Sequence, residues 1–446
     1  MKKSLIALLM LVTMGAHSQG TDSVMQFSIK QAVDFSFENQ KDVLNSQLDV
    51  QIAEYQVKET IGLGLPQISG EFDFKDFFEI PTTAIPGEFF GGEPGSFTTV
   101  QFGTQYNASA GLSASQLIFE PSYIVGVKAA KTFKDLSVQG LQNAKIETAV
   151  NVVKAYYRVL VVRDRKIVND ANVVRLKKYN EDIKSMYQNG FVEKVDMDRI
   201  QVTYNNALSE QEKSERLIKI TEDNLKYVMG LPQASTIVLT DSLDREAVKK
   251  LEVSADKPTP EKRIEYSILK TQERIQEFNV QRYKAKYLPS LVAYGSYSTN
   301  ALRSEMNIFD PAYRWYPTGI VGATLSLNIF DGMQRENKIR HEKLGLKKIQ
   351  NDIDYFANTV ELQVSNANSV LANAISSLNI QEQNLELANS VTKTSKIKYD
   401  EGIGSNLEIL DAETSLKEAQ SNYYMALYEA IVAKIELEKA LGNLKY

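Results

Sequence analysis

The sequence predicts a mostly α chain with β: long antiparallel helices of coiled-coil type, plus four strands per chain that contribute to a transmembrane β-barrel. Three observations carry that expectation. Residues 122–231 and 318–446 contain no proline. Three stretches, and a fourth more weakly, alternate apolar and polar residues with the two-residue period of a strand. The chain also repeats its own order of landmarks.

The helices follow from the proline-free stretches. Both are rich in Ala, Leu, Glu, Lys, Gln and Asn, and a proline inside a helix costs about 3 kcal/mol. Apolar residues recur at three- and four-residue steps, as in Val150, Val153, Tyr157 and Leu160, and again in Leu362, Ala367, Val370 and Ala374. Glycine punctuates each stretch at Gly190 and at Gly402 with Gly404. The reading is four long helices, about 122–189, 193–230, 333–399 and 405–441, with shorter ones about 26–60 and 260–285. A helix over 122–189 would be about 100 Å long at about 1.5 Å per residue. Helices of that length survive by packing on other helices.

The strands come next. Ile68, Gly70, Phe72 and Phe74 alternate with Gln67, Ser69, Glu71, Asp73 and Lys75. From Thr98 to Gln116 one parity carries Val100, Phe102, Tyr106, Ala108, Leu112 and Ala114, and the other Gln101, Gln105, Asn107, Ser109, Ser113 and Ser115. Val321, Ala323, Leu325, Leu327 and Ile329 alternate with Gly322, Thr324, Ser326 and Asn328, whereas 290–299 alternates poorly. The expected strands are about 65–78, 97–119, 288–300 and 313–330. Taken singly, each fits an ordinary half-buried strand. Residues 94–119, however, carry no charge, and aromatics crowd the strand ends at Phe77, Phe78, Phe89, Phe90, Tyr287, Tyr297, Tyr313, Trp315 and Tyr316. An interfacial girdle has that placement.

The repeat organises the whole. Leu65-Pro66-Gln67-Ile68 recurs as Leu288-Pro289-Ser290-Leu291, Ile118-Phe119-Glu120 as Ile329-Phe330-Asp331, and Tyr187-x-x-Gly190 as Tyr399-x-x-Gly402. Met229-Gly230 recurs as Leu441-Gly442. Two similar halves, 19–230 and 258–446, are joined by a linker at 231–257. Residues 1–18 read as a signal peptide: Lys2 and Lys3, an apolar run from Ser4 to Met14, then Ala16-His17-Ser18 before a mature start near Gln19.

Composition narrows the chemistry. Without cysteine there is no disulfide, thiol nucleophile, Cys-based metal site or lipid-attachment residue. The formal charge of −5 lacks the basic footprint of a nucleic-acid binder. His341 is the only histidine beyond the signal. No Walker loop, dinucleotide turn, metal cluster or Ser/His/Asp constellation is present, so neither an enzyme nor a cofactor is expected. Four strands cannot close a barrel, since membrane barrels start at about eight strands, and an open sheet edge is not tolerated in lipid. Several chains must share one barrel; two, three or four copies all satisfy that arithmetic. The competing reading is a periplasmic coiled-coil structural or adhesion protein without a membrane barrel.

The chain resembles the TolC family of outer-membrane efflux proteins. The matching pieces are Leu65-Pro66-Gln67-Ile68 and Leu288-Pro289-Ser290-Leu291 opening the hairpins, and Leu117-Ile118-Phe119-Glu120 and Asn328-Ile329-Phe330-Asp331-Gly332 closing them. The turns at Tyr187–Asp196 and Tyr399–Asp411 and the ending Ala440-Leu441-Gly442 match as well. The resemblance implies a homotrimer with a 12-stranded barrel in the outer membrane and a helical α-barrel in the periplasm. It implies docking of a periplasmic adaptor (membrane fusion) protein and cargo from an inner-membrane efflux pump or ABC transporter. Its adaptor-docking tips fall on Gly190, Phe191, Val192, Gly402, Ile403 and Gly404. Its periplasmic gate falls on Glu408, Asp411, Tyr399 and Asp196. Glu408 and Asp411 are three apart and share a helix face, so three copies would form two carboxylate rings that favour cations. The family's latching arginine is replaced by Gly404. The expectation is a tip held more by Tyr399 than by ion pairs, with Lys194 or Arg199 as substitute cations.

Overall fold

The computed structural model describes residues 24–249, 251–253 and 257–444, so the expected signal peptide and its cleavage site lie outside the described residues. In chain order the elements are β1 (Met25–Phe27), α1 (Ile29–Asn39), α2 (Lys41–Gly62), β2 (Gln67–Asp76), β3 (Thr82–Pro86), β4 (Phe97–Gln101) and β5 (Tyr106–Phe119). Then follow α3 (Pro121–Gln188), α4 (Lys194–Met229), β6 (Ile237–Leu239), α5 (Arg245–Lys249) and α6 (Ile264–Ala285). The chain ends with β7 (Ser290–Arg303), β8 (Tyr316–Ser326), α7 (Gln334–Asp400) and α8 (Asn406–Leu441). The four long helices lie within a residue or two of their expected bounds.

The duplication is visible in how those helices stop. Gly190 and Gly402 adopt φ of 77° and 75°, a left-handed conformation that only glycine takes without strain. At each, two main-chain bonds recover orphan carbonyls: Gly190 N–H donates to Tyr187 O and Phe191 N–H to Met186 O, as Gly402 N–H does to Tyr399 O and Ile403 N–H to Lys398 O. The same pair of bonds closes α4 at Gly230 and α8 at Gly442.

The chain forms two compact units. One takes the residues up to Asn45, Gln142–Arg263 and those from Thr359 onward; the other takes Ser46–Leu141 and Ile264–Asn358. Each draws on both sequence halves, because α3 and α7 run from one unit into the other.

The first unit is helical. Its core packs Val152, Tyr156 and Val159 of α3 against Leu225 and Met229 of α4, Val33 of α1 and Ile237 of β6. β1 pairs in parallel with β6, Met25 opposite Ile237. Buried Tyr156 ties this corner together: its hydroxyl donates to Phe27 O at 2.8 Å and accepts from Asp241 N–H at 3.3 Å.

The second unit holds an antiparallel sheet of order β2-β5-β7-β8. Its register places Ile68 opposite Ala114, Gly70 opposite Leu112 and Phe72 opposite Ala110. Ala114 in turn faces Gly295 and Leu112 faces Tyr297, while Gly295 faces Val321 and Leu291 faces Leu325. Opposed residues of a sheet share a face, so the apolar parity of all four strands lies on one side. The other side carries Ser69, Ser113, Ser296, Ser298 and Thr318, with Ser69 Oγ 2.7 Å from Ser113 Oγ. The apolar face is open: Val321 is 92% exposed, and Ile68, Phe72, Leu112, Tyr297 and Leu325 are exposed too. β2 and β8 are its free edges.

Two expectations need correction. The strand expected over 97–119 is two, β4 and β5. Gly103, at φ 125°, turns the chain between them, and β4 pairs with the unforeseen β3. The helix expected over 26–60 begins with β1 and is broken at Gln40, whose extended backbone ends α1. The Gln40 side chain then accepts from Asp42 N–H at 2.6 Å and Val43 N–H at 3.2 Å, starting α2. The linker 231–257 contains β6 and α5. The strand expected at about 288–300 is present as the 14-residue β7, paired on both sides; a tyrosine on each face, Tyr294 and Tyr297, blurs its period.

Candidate functional site

The candidate gate and tips lie together in the helical unit, where α3 turns into α4 and α7 into α8. Leu176, Tyr179 and Ile183 of α3 pack with Ile200 of α4 and with Ile409 and Leu410 of α8, and Val192, Met197, Tyr204 and Tyr399 border them. Four helix ends are thereby held as one cluster. α8 starts at Ser405, whose Oγ accepts from Glu408 N–H at 3.2 Å, a standard way to satisfy an orphan donor. This cap fixes the helical phase that follows. Ile409 and Leu410 point into the cluster, and Glu408 and Asp411 are exposed on the opposite side.

The other predicted positions are distributed around this cluster. Phe191 and Ile403, at the two turns, are 79% and 80% exposed, and Val192 is half-buried. Asp196 and Tyr399 are near neighbours but do not bond to each other. The Tyr399 hydroxyl donates to Met186 Sδ at 3.4 Å. Its pKa is raised, chiefly by burial and then by the charges of Asp196, Asp182 and Asp400. Asp196 is instead approached by Asn406, whose Nδ2 lies 3.2 Å from its main-chain oxygen and 3.5 Å from Oδ1. Among the described residues, neither Lys194 nor Arg199 joins an ion pair with Asp196, Glu408 or Asp411. Gly404 sits where the chain folds back on itself: a Cβ there would lie 2.9 Å from Tyr399 N and 3.0 Å from Lys398 C. The turn backbone therefore occupies the space a side chain would need.

Sequence reasoning missed a polar lock one turn deeper. Glu413 of α8 has only 3% of its side chain exposed. Arg175 of α3 grips it with two parallel bonds of 2.7 Å, Nε to Oε1 and Nη2 to Oε2. Arg175 Nη2 also donates to Asn172 Oδ1 at 2.8 Å, and Asn172 Nδ2 to Gln420 Oε1 at 2.7 Å. Forked guanidinium–carboxylate pairs combine strength with a fixed orientation. Tyr179 lies nearby with its hydroxyl buried and unbonded; burial, then the Glu413 charge, pushes its pKa up to about 12. The available signal was a carboxylate inside the apolar stripe Ile409, Ala412, Leu416 and Ala419.

Comparison with known proteins bears on the same elements. The sequence profile of the outer membrane efflux protein family matches residues 271–443. Outer membrane protein TolC of Vibrio cholerae is 21% identical over 75% of this chain and 77% of its own length. Nodulation protein T of Rhizobium leguminosarum bv. trifolii is 22% identical over 76% of this chain and 72% of its own. Among solved structures, CusC, described as forming a transmembrane channel, superposes with a TM-score of 0.74 at 15% identity, covering 93% of this chain and 91% of that one. In fold the chain is similar to CusC over nearly its whole length, and in sequence its residues 271–443 match the outer membrane efflux protein family.

Proposed function

We propose that this chain is one protomer of a homotrimeric outer-membrane duct that passively conducts cargo outward. The carrying observation is the β2-β5-β7-β8 sheet: one face largely apolar and largely exposed, the other mainly polar, and both edges open. An apolar exposed face of that extent calls for lipid, and open edges in lipid call for further strands. Three copies would supply twelve strands with a polar lumen. The alternative, a periplasmic coiled-coil scaffold, leaves the exposed face unexplained.

The helices would form the periplasmic part, with the two turns at its end. Phe191, Val192 and Ile403 present apolar surface there on turns shaped by Gly190, Gly402 and Gly404, which suits docking of a periplasmic adaptor. An inner-membrane efflux pump or ABC transporter would then deliver the cargo. Glu408 and Asp411 would line the narrowing, with Tyr399 and Asp196 beside it. Carboxylate rings at a constriction attract cations.

Planar-bilayer conductance of the purified full chain tests this reading. The expected result is cation-selective channels that divalent ions block. The double variant Glu408→Gln, Asp411→Asn is expected to lose most of that selectivity. Stable insertion without conductance would overturn the duct, and unchanged selectivity in the variant would remove the two carboxylates from the gate.

A further inference from the structure

We propose that Arg303 and the loop between β7 and β8, residues 304–315, form a binding site for the phosphate group of a lipid. The inference rests on the barrel reading above and adds a ligand to it. Arg303 ends β7 opposite Tyr106, on the apolar side of the sheet shared by Ala301 and Ala108. It is at the strand end remote from the helices in chain order. Although charged, it is only 6% exposed.

Among the described residues, no carboxylate pairs with it. Nη1 donates to Leu302 O at 2.9 Å and Nη2 to Arg314 O at 3.3 Å. The guanidinium lies over the Tyr313 ring, 5.3 Å from its centroid. Nε is buried and has no acceptor. The ion pairs among the described residues do not include Arg303.

Arg335, at the start of α7, shows what is missing. It is likewise buried, at 8% exposure. It also donates to two main-chain carbonyls, Lys286 O at 3.0 Å and Asn328 O at 2.8 Å, and lies 4.4 Å from a tyrosine ring centroid, that of Tyr287. In Arg335, however, Nε meets Asp331 Oδ2 at 2.6 Å. The two arginines share a cradle, and the position filled by a carboxylate at Arg335 is vacant of any acceptor at Arg303. A buried cation without a counter-charge is a strongly unfavourable arrangement, and intramembrane charges mark functional positions.

The character of the loop selects the ligand. Ile308 is buried against Ala108 and Ala301, with Tyr106 and Trp315 packed beside it. Phe309 stacks on Phe72 at 6.3 Å. The loop therefore lies on the apolar, lipid-facing side of the sheet. Met306 and Phe309 remain exposed there, as does the second cation, Arg314. The loop's own carboxylates, Glu305 and Asp310, are exposed, and Asp310 Oδ1 accepts from Ala312 N–H at 2.9 Å. An anion carried on an apolar body fits both halves of this surface. Guanidinium groups bind phosphate through their fork, and basic residues among interfacial aromatics recognise lipid headgroups. Tyr313, itself exposed, is the one ring over the guanidinium, and its rotation would admit a phosphate oxygen to Nε.

Trp315 is the only tryptophan of the chain and sits inside the proposed site, so its emission reports occupancy. The detergent-purified full chain is titrated with dioleoyl phosphatidic acid, with dioleoylglycerol and with inorganic phosphate. A saturable Trp315 shift is expected with phosphatidic acid alone. Arg314→Gln, at an exposed position, is expected to raise the midpoint at least about tenfold, and Arg303→Gln to abolish the response. An equal shift with dioleoylglycerol would reduce the site to an apolar surface and overturn the proposal. An equal shift with inorganic phosphate would remove the lipid from it. An unchanged midpoint in Arg314→Gln would overturn it even if Arg303→Gln does not fold. The mass of the complex is measured on the same samples. Loss of the lipid response with the complex intact sinks the lipid site alone, whereas a monomer in detergent sinks the duct reading.

Discussion

Helices α4 and α8 are two copies of one element, each 36 residues long, each ending on a left-handed glycine, yet they pack in opposite ways. α8 buries seventeen residues and α4 six. At the offset of 212 that relates Gly190 to Gly402, Leu427 answers Glu215, Tyr424 answers Glu212 and Ile431 answers Lys219. Glu413, buried in the grip of Arg175, answers Gln201, which is exposed and bonds to Asn180 and Asn205. Duplication therefore preserved length, turns and caps, while side-chain exchange made one copy an inner helix and left the other more exposed to solvent. The proposed gate carboxylates follow the same division: Glu408 answers Asp196, but Asp411 answers Arg199.

Breaking the polar lock of the inner copy has the largest expected effect. Arg175→Ala leaves the Glu413 carboxylate buried without its counter-charge, a loss of about 3–5 kcal/mol for a buried pair broken on one side. Gln201→Ala, at the matching position of α4, should change stability by less than about 0.5 kcal/mol, as exposed positions do. Denaturant unfolding of the purified protein checks both, and equal losses would erase the distinction between the helices.

Core truncation sharpens the same contrast. Leu427→Ala empties a fully buried site and is expected to cost about 2–5 kcal/mol. Glu215→Ala, its counterpart on α4, is expected to stay within about 0.5 kcal/mol. A costly Glu215→Ala would mean that α4 is also an inner helix.

The smallest effect is in alkali. Burial is the main cause that lifts Tyr156 and Tyr179 to about 12. A pKa raised in the folded state favours the protonated form there. The stability it contributes is intact below the ordinary tyrosine value and is lost as pH rises from about 10 through about 12. Tyr179→Phe should therefore flatten the decline in melting temperature over that window and leave neutral-pH stability nearly unchanged, since the Tyr179 hydroxyl has no partner to lose. An identical alkaline decline in the variant would contradict this.

The parts legible in the sequence were those written in punctuation and period. Missing prolines and paired glycines located the long helices, and alternation put Ile68 with Phe72, Leu112 and Val321 on the apolar faces of their own strands, which the register then joined on one side. What escaped had no periodic signal. Three-residue strands such as β1 and β6 are too short to show one. The break between β4 and β5 hid because Phe102 and Thr104 continue the parity across Gly103. Gln40 ends a helix through its side chain, a role its residue type does not announce. At the tip, the resemblance brought Tyr399, Asp196, Glu408 and Asp411 to one place. Asn406 and the Arg175–Glu413 fork are long-range pairings of residues ordinarily found on helix surfaces, and only the packed structure brings them together.

The central claim is that the open edges of β2 and β8 are closed by other copies of this chain. The most direct test is the mass of the detergent-solubilised protein by native mass spectrometry, with a heat-modifiability gel alongside. The account predicts a complex of three chains that resists dissociation until heated. A monomer or dimer that needs no detergent to stay in solution would contradict it.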